Sequence, residues 1–423
     1  MIRKSYVKKI DNKRVRHLRI AKFMLLLFSI LSISLSLIYN VSNVSSNDVK
    51  TYFLLIVTIT LTTIFTEKLM KDNILFLIIN MLFSIGVSII YRLDPSVGKK
   101  QLMFYLVGII LFFITYFILY RFNVWDKLII FYFAITILLF IFTLIFGTWV
   151  GGAKNWIMIG PISIQPSEFI KIPFVFFIAS FYSNYDKFVE KYKIFGRLIM
   201  TIGVYIFIGF FFLQRELGTA IICFGVMIFA QFTFEKDYKL IIVNVILMIL
   251  GLIFAYKVMS HVQVRFNIWK NPFNDPKGDG YQIVQSLIAI SSAGLFGKGI
   301  GLGDPNFIPV ADSDFIFSSV IEEMGIFTGI AIMLLFLLLI YKGLQIGYKQ
   351  KNTFYSVLAF SISVMFGIQS LLILGGVTNI TPLTGVTLPF LSAGGSSMIS
   401  GFILLACLQF ANRKEVEFEK RNK

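Results

Sequence analysis

The chain has 423 residues, of which 57% are hydrophobic and 14% charged, with a formal net charge of +17. A soluble protein of this length needs a far more polar surface, so that class is excluded. Apolar runs of about 15–25 residues recur throughout, the length that crosses a bilayer core at about 1.5 Å per residue, and nothing alternates with the period of a barrel strand. The chain reads as an all-α polytopic membrane protein.

About twelve transmembrane helices are expected, at 20–39, 51–66, 74–91, 103–120, 128–149, 169–183, 196–213, 219–234, 239–258, 316–341, 355–376 and 390–412. With the N-terminus inside, most of the 39 basic residues fall on seven short cytoplasmic segments, from Arg3–Lys22 at one end to Arg413–Lys423 at the other. Positive-inside bias therefore accounts for the charge, and no nucleic-acid partner is needed. An even number of spans returns the C-terminus to the cytoplasm. The expected organisation is a basic cytoplasmic tail at 1–19, two extra spans within 20–73, a membrane core at 74–412 and a cytoplasmic tail at 413–423. The core carries one large extracellular loop at 259–315, and the shorter segments 150–168, 214–218 and 377–389 fall on the same side. The first apolar run is too long, and lacks the small-residue site, for a cleaved signal peptide. Cys223 and Cys407 lie within spans and His17 and His261 on opposite sides, so neither a disulfide framework nor a zinc site is indicated.

Taken in order, the first two spans carry no polar group of interest. Arg92-Leu93-Asp94-Pro95 follows the third, and Gly151-Gly152-Ala153-Lys154-Asn155-Trp156 follows the fifth. Gln165-Pro166-Ser167-Glu168 then opens the sixth, with proline in the first turn and an acid near the positive end of the helix dipole. Glu168 and Lys171 share one helical face, as an interfacial ion pair or as the polar wall of a cavity. Gln214-Arg215-Glu216 makes a tight turn. The glycine-rich run 294–303 has Lys298 without a following Ser or Thr and without a preceding strand, so a phosphate loop is rejected. Residues 281–295 suit a short amphipathic helix. Asp314 stands where the polar loop re-enters an apolar run, with Glu322 and Glu323 farther along. It is either a helix cap or a functional acid, since a carboxylate at that boundary is costly. Small residues at 392–397 open the last span, through close helix packing or through a break lining a cavity.

These pieces resemble the SEDS family of peptidoglycan polymerases, the RodA, FtsW and SpoVE type. The matching residues are Gly152-Ala153-Lys154-Asn155-Trp156-Ile157, Gln165-Pro166-Ser167-Glu168 with Lys171, Glu216-Leu217-Gly218-Thr219-Ala220, and Asp275-Pro276. Gly280-Tyr281-Gln282, Gln285-Ser286, Gly297-Lys298-Gly299, Asp314-Phe315-Ile316-Phe317 with Glu322-Glu323 and Gly325, Leu388-Pro389-Phe390 and Gly394-Gly395-Ser396-Ser397 complete the series. Arg215 stands where the family usually has proline, Glu216 where it has Asp, Ser313 where it has Thr and Ala393 where it has Tyr. The two extra N-terminal spans exceed the common ten-helix core.

The resemblance implies an inverting glycosyltransferase that polymerises lipid II at the outer leaflet of the bacterial cytoplasmic membrane and releases undecaprenyl pyrophosphate. Asp314 matches the family's essential acid, a general base for the acceptor hydroxyl. Lys154, Lys171 and Arg265 are candidates to stabilise the leaving pyrophosphate. Glu168 would orient Lys171, and Trp156, Gln165 and Gln285 join them as substrate-binding candidates. No cofactor is required, and a divalent cation, Mg or Mn, could assist. The implied partners are lipid II, the growing glycan strand and a class B penicillin-binding protein. A flippase for the same lipid and a non-catalytic scaffold for a transpeptidase are the alternatives. Division, elongation and sporulation roles are not separated.

Overall fold

The computed structural model describes residues 18–32, 34–35, 46–69, 73–160 and 162–421. Most of the expected basic tail, the later part of the first expected span and the last two residues lie outside them. A helical stretch at 18–32 is followed by α1 (Ser46–Leu69), α2 (Ile74–Leu93), α3 (Pro95–Arg121) and α4 (Ile129–Phe146). Three short strands come next, β1 (Thr148–Val150), β2 (Ala153–Ile159) and β3 (Ile162–Ile164). The helices resume with α5 (Pro166–Ser183), α6 (Tyr185–Tyr192), α7 (Ile194–Leu213), α8 (Leu217–Ala230), α9 (Tyr238–Val258), α10 (Ser260–Lys270) and α11 (Tyr281–Ser292). The last three are α12 (Ile316–Lys349), α13 (Thr353–Val377) and α14 (Gly395–Arg421).

Among the described residues ten helices are long and apolar enough to cross a membrane, each coinciding with one expected span: α1–α4, α7–α9 and α12–α14. The expected span 169–183 is α5, which is not among the ten. Pro166, Glu168, Lys171 and Pro173 lower its hydropathy. The expected span 20–39 is described only in part. The protein is thus a mostly helical, multi-pass membrane protein, with ten qualifying helices where about twelve spans were expected.

The all-α expectation misses the antiparallel sheet β1-β2-β3. Gly151 and Gly152, at φ 57 and 83, form the two-residue turn between Val150 and Ala153, which pair across β1 and β2. Both glycines sit in the left-handed region that this hairpin turn demands. The large loop 259–315 is likewise structured, holding α10 and α11 as well as short 3-10 turns.

The chain forms two compact units. One comprises Met1–Leu106, Ile288–Leu339 and Phe390–Ala393, and the other Val107–Leu287, Ile340–Pro389 and Gly394–Lys423. In the first, α2 is almost wholly buried. Its polar residues meet the preceding helices: Ser29 Oγ donates to Ser84 Oγ at 3.0 Å, Ser32 and Ser88 hydroxyls lie 3.0 Å apart, and Asn80 Nδ2 donates to Thr63 Oγ1 at 3.0 Å. Tyr105 from α3 donates to Asn80 Oδ1 at 2.6 Å. On the same helix a Cβ at Gly86 would fall 2.1 Å from the Leu391 carbonyl oxygen, so only glycine admits this backbone approach.

In the second unit α5 is central, packed against α4, α8, α13 and α14. Phe174, Ile178 and Phe181 are fully buried on it. Phe140, Phe174, Phe177 and Phe207 form a ring cluster, with centroid separations of 5.7–6.3 Å from Phe207 to the other three. This apolar packing fixes the helix whose N-terminal end carries Glu168 and Lys171.

Candidate active site

Asp314 lies in the first unit, half-buried, in the turn ahead of α12. Asp314 stands two residues ahead of Ile316, the first residue of α12. Ser313 Oγ approaches Asp314 Oδ1 at 3.4 Å. The turn is held from both sides. Ala393 N donates to Asp312 O at 2.9 Å, Ser392 Oγ to Ser313 O at 2.7 Å, and Ser319 Oγ to Ala311 O at 3.1 Å. Gln101 Nε2 secures the support by donating to Ser392 O at 2.8 Å. Burial, and then the nearby Asp94, push the Asp312 carboxyl above the usual range, against backbone amides that oppose the shift. Farther along α12 two buried acids meet cations: Glu322 Oε1 is 2.7 Å from Lys298 Nζ, and Glu323 Oε1 is 2.9 Å from Arg92 Nε.

In the second unit the sequence-predicted residues Gln165, Glu168 and Lys171 belong to one buried polar network. Gln165 caps α5, with Pro166 in its first position and Glu168 in its first turn. Lys171 Nζ donates to Glu168 Oε1 at 2.6 Å and to Gln369 Oε1 on α13 at 2.9 Å. Ser400 Oγ on α14 donates to Glu168 Oε2 at 2.8 Å, so each carboxylate oxygen has a partner. The Gln165 amide N–H donates to Ser396 Oγ at 3.0 Å, and its side-chain amide to Glu216 Oε1 at 3.3 Å. Thr219 Oγ1 also donates to Glu216 Oε1, at 2.8 Å, while Glu216 Oε2 is buried without a hydrogen bond. Burial pushes the Glu216 carboxyl upward, the Thr219 hydroxyl pulls it back, and Glu168 adds to the rise.

The other predicted residues have separate local anchors. Lys154 sits on β2, where its N–H donates to Gln214 O at 2.9 Å and its ammonium to Leu144 O at 2.5 Å. A cation there suits the negative end of α4. Trp156, half-buried on β2, offers its carbonyl to Thr148 Oγ1 at 3.0 Å. Arg265 Nη1 on α10 donates to the carbonyls of Thr384 at 2.9 Å and Leu383 at 3.3 Å. Gln285 is half-buried on α11, next to Ser286, whose hydroxyl donates to Val377 O at 2.9 Å. Arg215 has φ 59 and its guanidinium lies 5.1 Å from the Trp149 ring. A proline cannot adopt that φ, so this turn is shaped differently from the one the family's usual proline would impose. Burial, then Arg265 and Arg215, hold His261 below its usual value.

Sequence reasoning did not find Gln369, Ser400 or the Arg92–Glu323 pair. The signal for the last was present, since two adjacent acids in an apolar run demand cations. Among the described residues no three His, Cys, Asp or Glu side chains are grouped to hold a metal ion.

Comparison with known proteins gives this constellation its context. Residues 68–417 match the model of the FtsW/RodA/SpoVE family, described as cell cycle proteins. The chain belongs to that family. It is 33% identical to the peptidoglycan glycosyltransferase RodA of Mycobacterium tuberculosis over 291 residues, 64% of this chain and 61% of that protein. The match therefore spans about three-fifths of the mycobacterial relative. It is also 33% identical to stage V sporulation protein E of Bacillus subtilis over 351 residues, 79% of this chain and 94% of that protein. In fold it is similar to a chain of a peptidoglycan synthase complex described as coordinating polymerization and crosslinking, at a TM-score of 0.70 and 22% identity, covering 81% of this chain and 98% of the other. Thermus thermophilus RodA has the same fold, at a TM-score of 0.58 and 21% identity, over 81% of this chain and 97% of its own.

Proposed function

We propose that the protein polymerises lipid II into glycan strands at the outer face of the bacterial cytoplasmic membrane, by inverting glycosyl transfer with release of undecaprenyl pyrophosphate. The observation that carries this reading is Asp314, half-buried at the head of a membrane-spanning helix in a member of this family. Its carboxylate takes the proton of the acceptor sugar hydroxyl as that oxygen attacks the anomeric carbon. Inversion requires such a base on the attacking face. The leaving pyrophosphate develops negative charge, for which Lys154, Lys171 and Arg265 are the assigned cations. Lys171 uses two of its three ammonium donors on Glu168 and Gln369, which orient it. Trp156, Gln165, Glu168 and Gln285 are assigned to substrate binding. Both termini are cytoplasmic in this reading, supported by the distribution of basic residues. The partner is a class B penicillin-binding protein, in keeping with the fold shared with a synthase complex.

The test is polymerisation of labelled lipid II by the purified chain, with and without chelator. Wild type should yield glycan strands, and Asp314→Asn should lose about 10²–10⁴-fold, the usual contribution of a general base. Full activity in Asp314→Asn would remove the base assignment. Lipid movement across vesicles without glycan formation would establish a transporter instead. The chelator arm decides whether a divalent cation takes part.

A further inference from the structure

Within α12, Gly325 stands at φ 85 and ψ 169, a conformation essentially confined to glycine. In an unbroken helix Ile326 N would bond Glu322 O, and Phe327 N would bond Glu323 O. Here Ile326 N donates to Gly294 O at 3.1 Å and Phe327 N to Leu295 O at 3.3 Å. The two freed carbonyls are also taken, Glu322 O by Lys298 N at 2.9 Å and Glu323 O by Gly299 N at 2.9 Å. The glycine-rich loop thus inserts into the helix and satisfies the four backbone groups that the break releases. The fit is backbone against backbone. A Cβ at Gly325 would lie 2.3 Å from Leu295 O, and one at Gly297 would lie 2.3 Å from Glu323 O.

The side chains tie the same joint. Glu322 Oε1 takes the Lys298 ammonium at 2.7 Å and Asp304 N at 3.2 Å. Glu323 Oε2 takes Gly301 N at 3.2 Å. Glu323 Oε1 lies 2.9 Å from Arg92 Nε, close enough for an ion pair but without hydrogen-bond alignment. Arg92 Nη2 donates to Gly303 O at 2.8 Å, which joins the end of α2 to the loop. The segment Ile316–Met324 is therefore a short helix mounted separately from the span beyond Gly325, and Asp314 sits just ahead of it.

We propose that Arg92, Lys298, Glu322 and Glu323, with the loop inserted at Gly325, are positioning residues that set the placement of Asp314. The proposal rests on the reading of Asp314 as the base. A role confined to stability is a poor account of these charges, because buried ion pairs seldom stabilise more than apolar packing of similar volume. The backbone insertion also fixes one register between loop and segment, which apolar contacts alone would not.

Measurements on the full chain test it. Glu323→Gln should lower kcat about tenfold or more with KM for lipid II within about twofold, since small misplacements of reacting groups cost rate rather than binding. Lys298→Met, at the partly exposed pair, should lower kcat in the same sense and is the variant least exposed to folding failure. Arg92→Glu should be worse than Glu323→Gln, because it sets a second acid beside Glu323 and removes the donor to Gly303 O. Hydrogen exchange should quicken at 313–324 in Glu323→Gln and Lys298→Met and stay unchanged in α13. Unchanged kcat in both variants, or exchange rising evenly through the chain, would overturn the proposal. Asp314→Asn assayed in parallel separates the two readings. If it retains activity the base assignment falls, and local exchange alone then judges whether the loop positions the segment.

Discussion

Lys171 is almost fully buried, yet it is paired at 2.6 Å with Glu168, and both carry a further hydrogen bond. Removing one member leaves the other as an uncompensated buried charge. Lys171→Met should therefore cost about 3–5 kcal/mol in denaturant unfolding, and Glu168→Gln with Lys171→Met should recover most of it. Glu216 makes a different prediction. Its folded-state carboxyl is shifted upward, first by burial. A raised acid contributes stability at low pH and loses it as pH rises through the folded value. Glu216→Gln does not titrate, so its thermal midpoint should exceed that of wild type at pH 8 and the gap should close towards pH 4. A gap independent of pH would show that ionisation is not the cause.

At the scale of elements, the apolar runs located ten span-length helices among the described residues because a bilayer imposes one length on all of them. The sheet was not legible. β1 and β3 have three residues each, too few for a two-residue period to register. The i,i+3 pairing of Glu168 and Lys171 could be read from spacing, but Gln369 and Ser400 join it from 198 and 232 residues away. Such partners are set by packing, not by local pattern. Asp314 and Gly325 were both recognised through the motif around them, whereas the break at Gly325 was not. An apolar run reads as one continuous helix unless the loop that replaces its missing hydrogen bonds is known. The approach of Gly86 to Leu391 is similarly invisible, and it yields a sharp test. Gly86→Leu should abolish accumulation of folded protein, while Gly209→Ala, where nothing lies within 4 Å of a Cβ, should leave the melting profile close to wild type.

For the whole molecule, the family match begins at residue 68, and the helical stretch at 18–32 and nearly all of α1 precede it. These added helices meet α2 through hydroxyl and amide contacts, and Lys22 pairs with Glu67 between them. Deleting residues 1–67 would leave Asn80 Nδ2 without Thr62 and Thr63, though Tyr105 still serves its Oδ1. The truncated chain should lose stability, and Asn80→Leu in that background should restore about 0.5–2 kcal/mol, the worth of a hydrogen bond inside a membrane protein. Unfolding in detergent measures both steps. The break in α12 has a consequence for length as well. The whole element is 34 residues, about 51 Å at 1.5 Å per residue and far beyond a hydrocarbon core of about 30 Å. Residues 326–349 alone reach about 36 Å, enough to cross with some tilt. The nine residues before Gly325 are thus surplus to spanning, and their length answers to the inserted loop rather than to the bilayer.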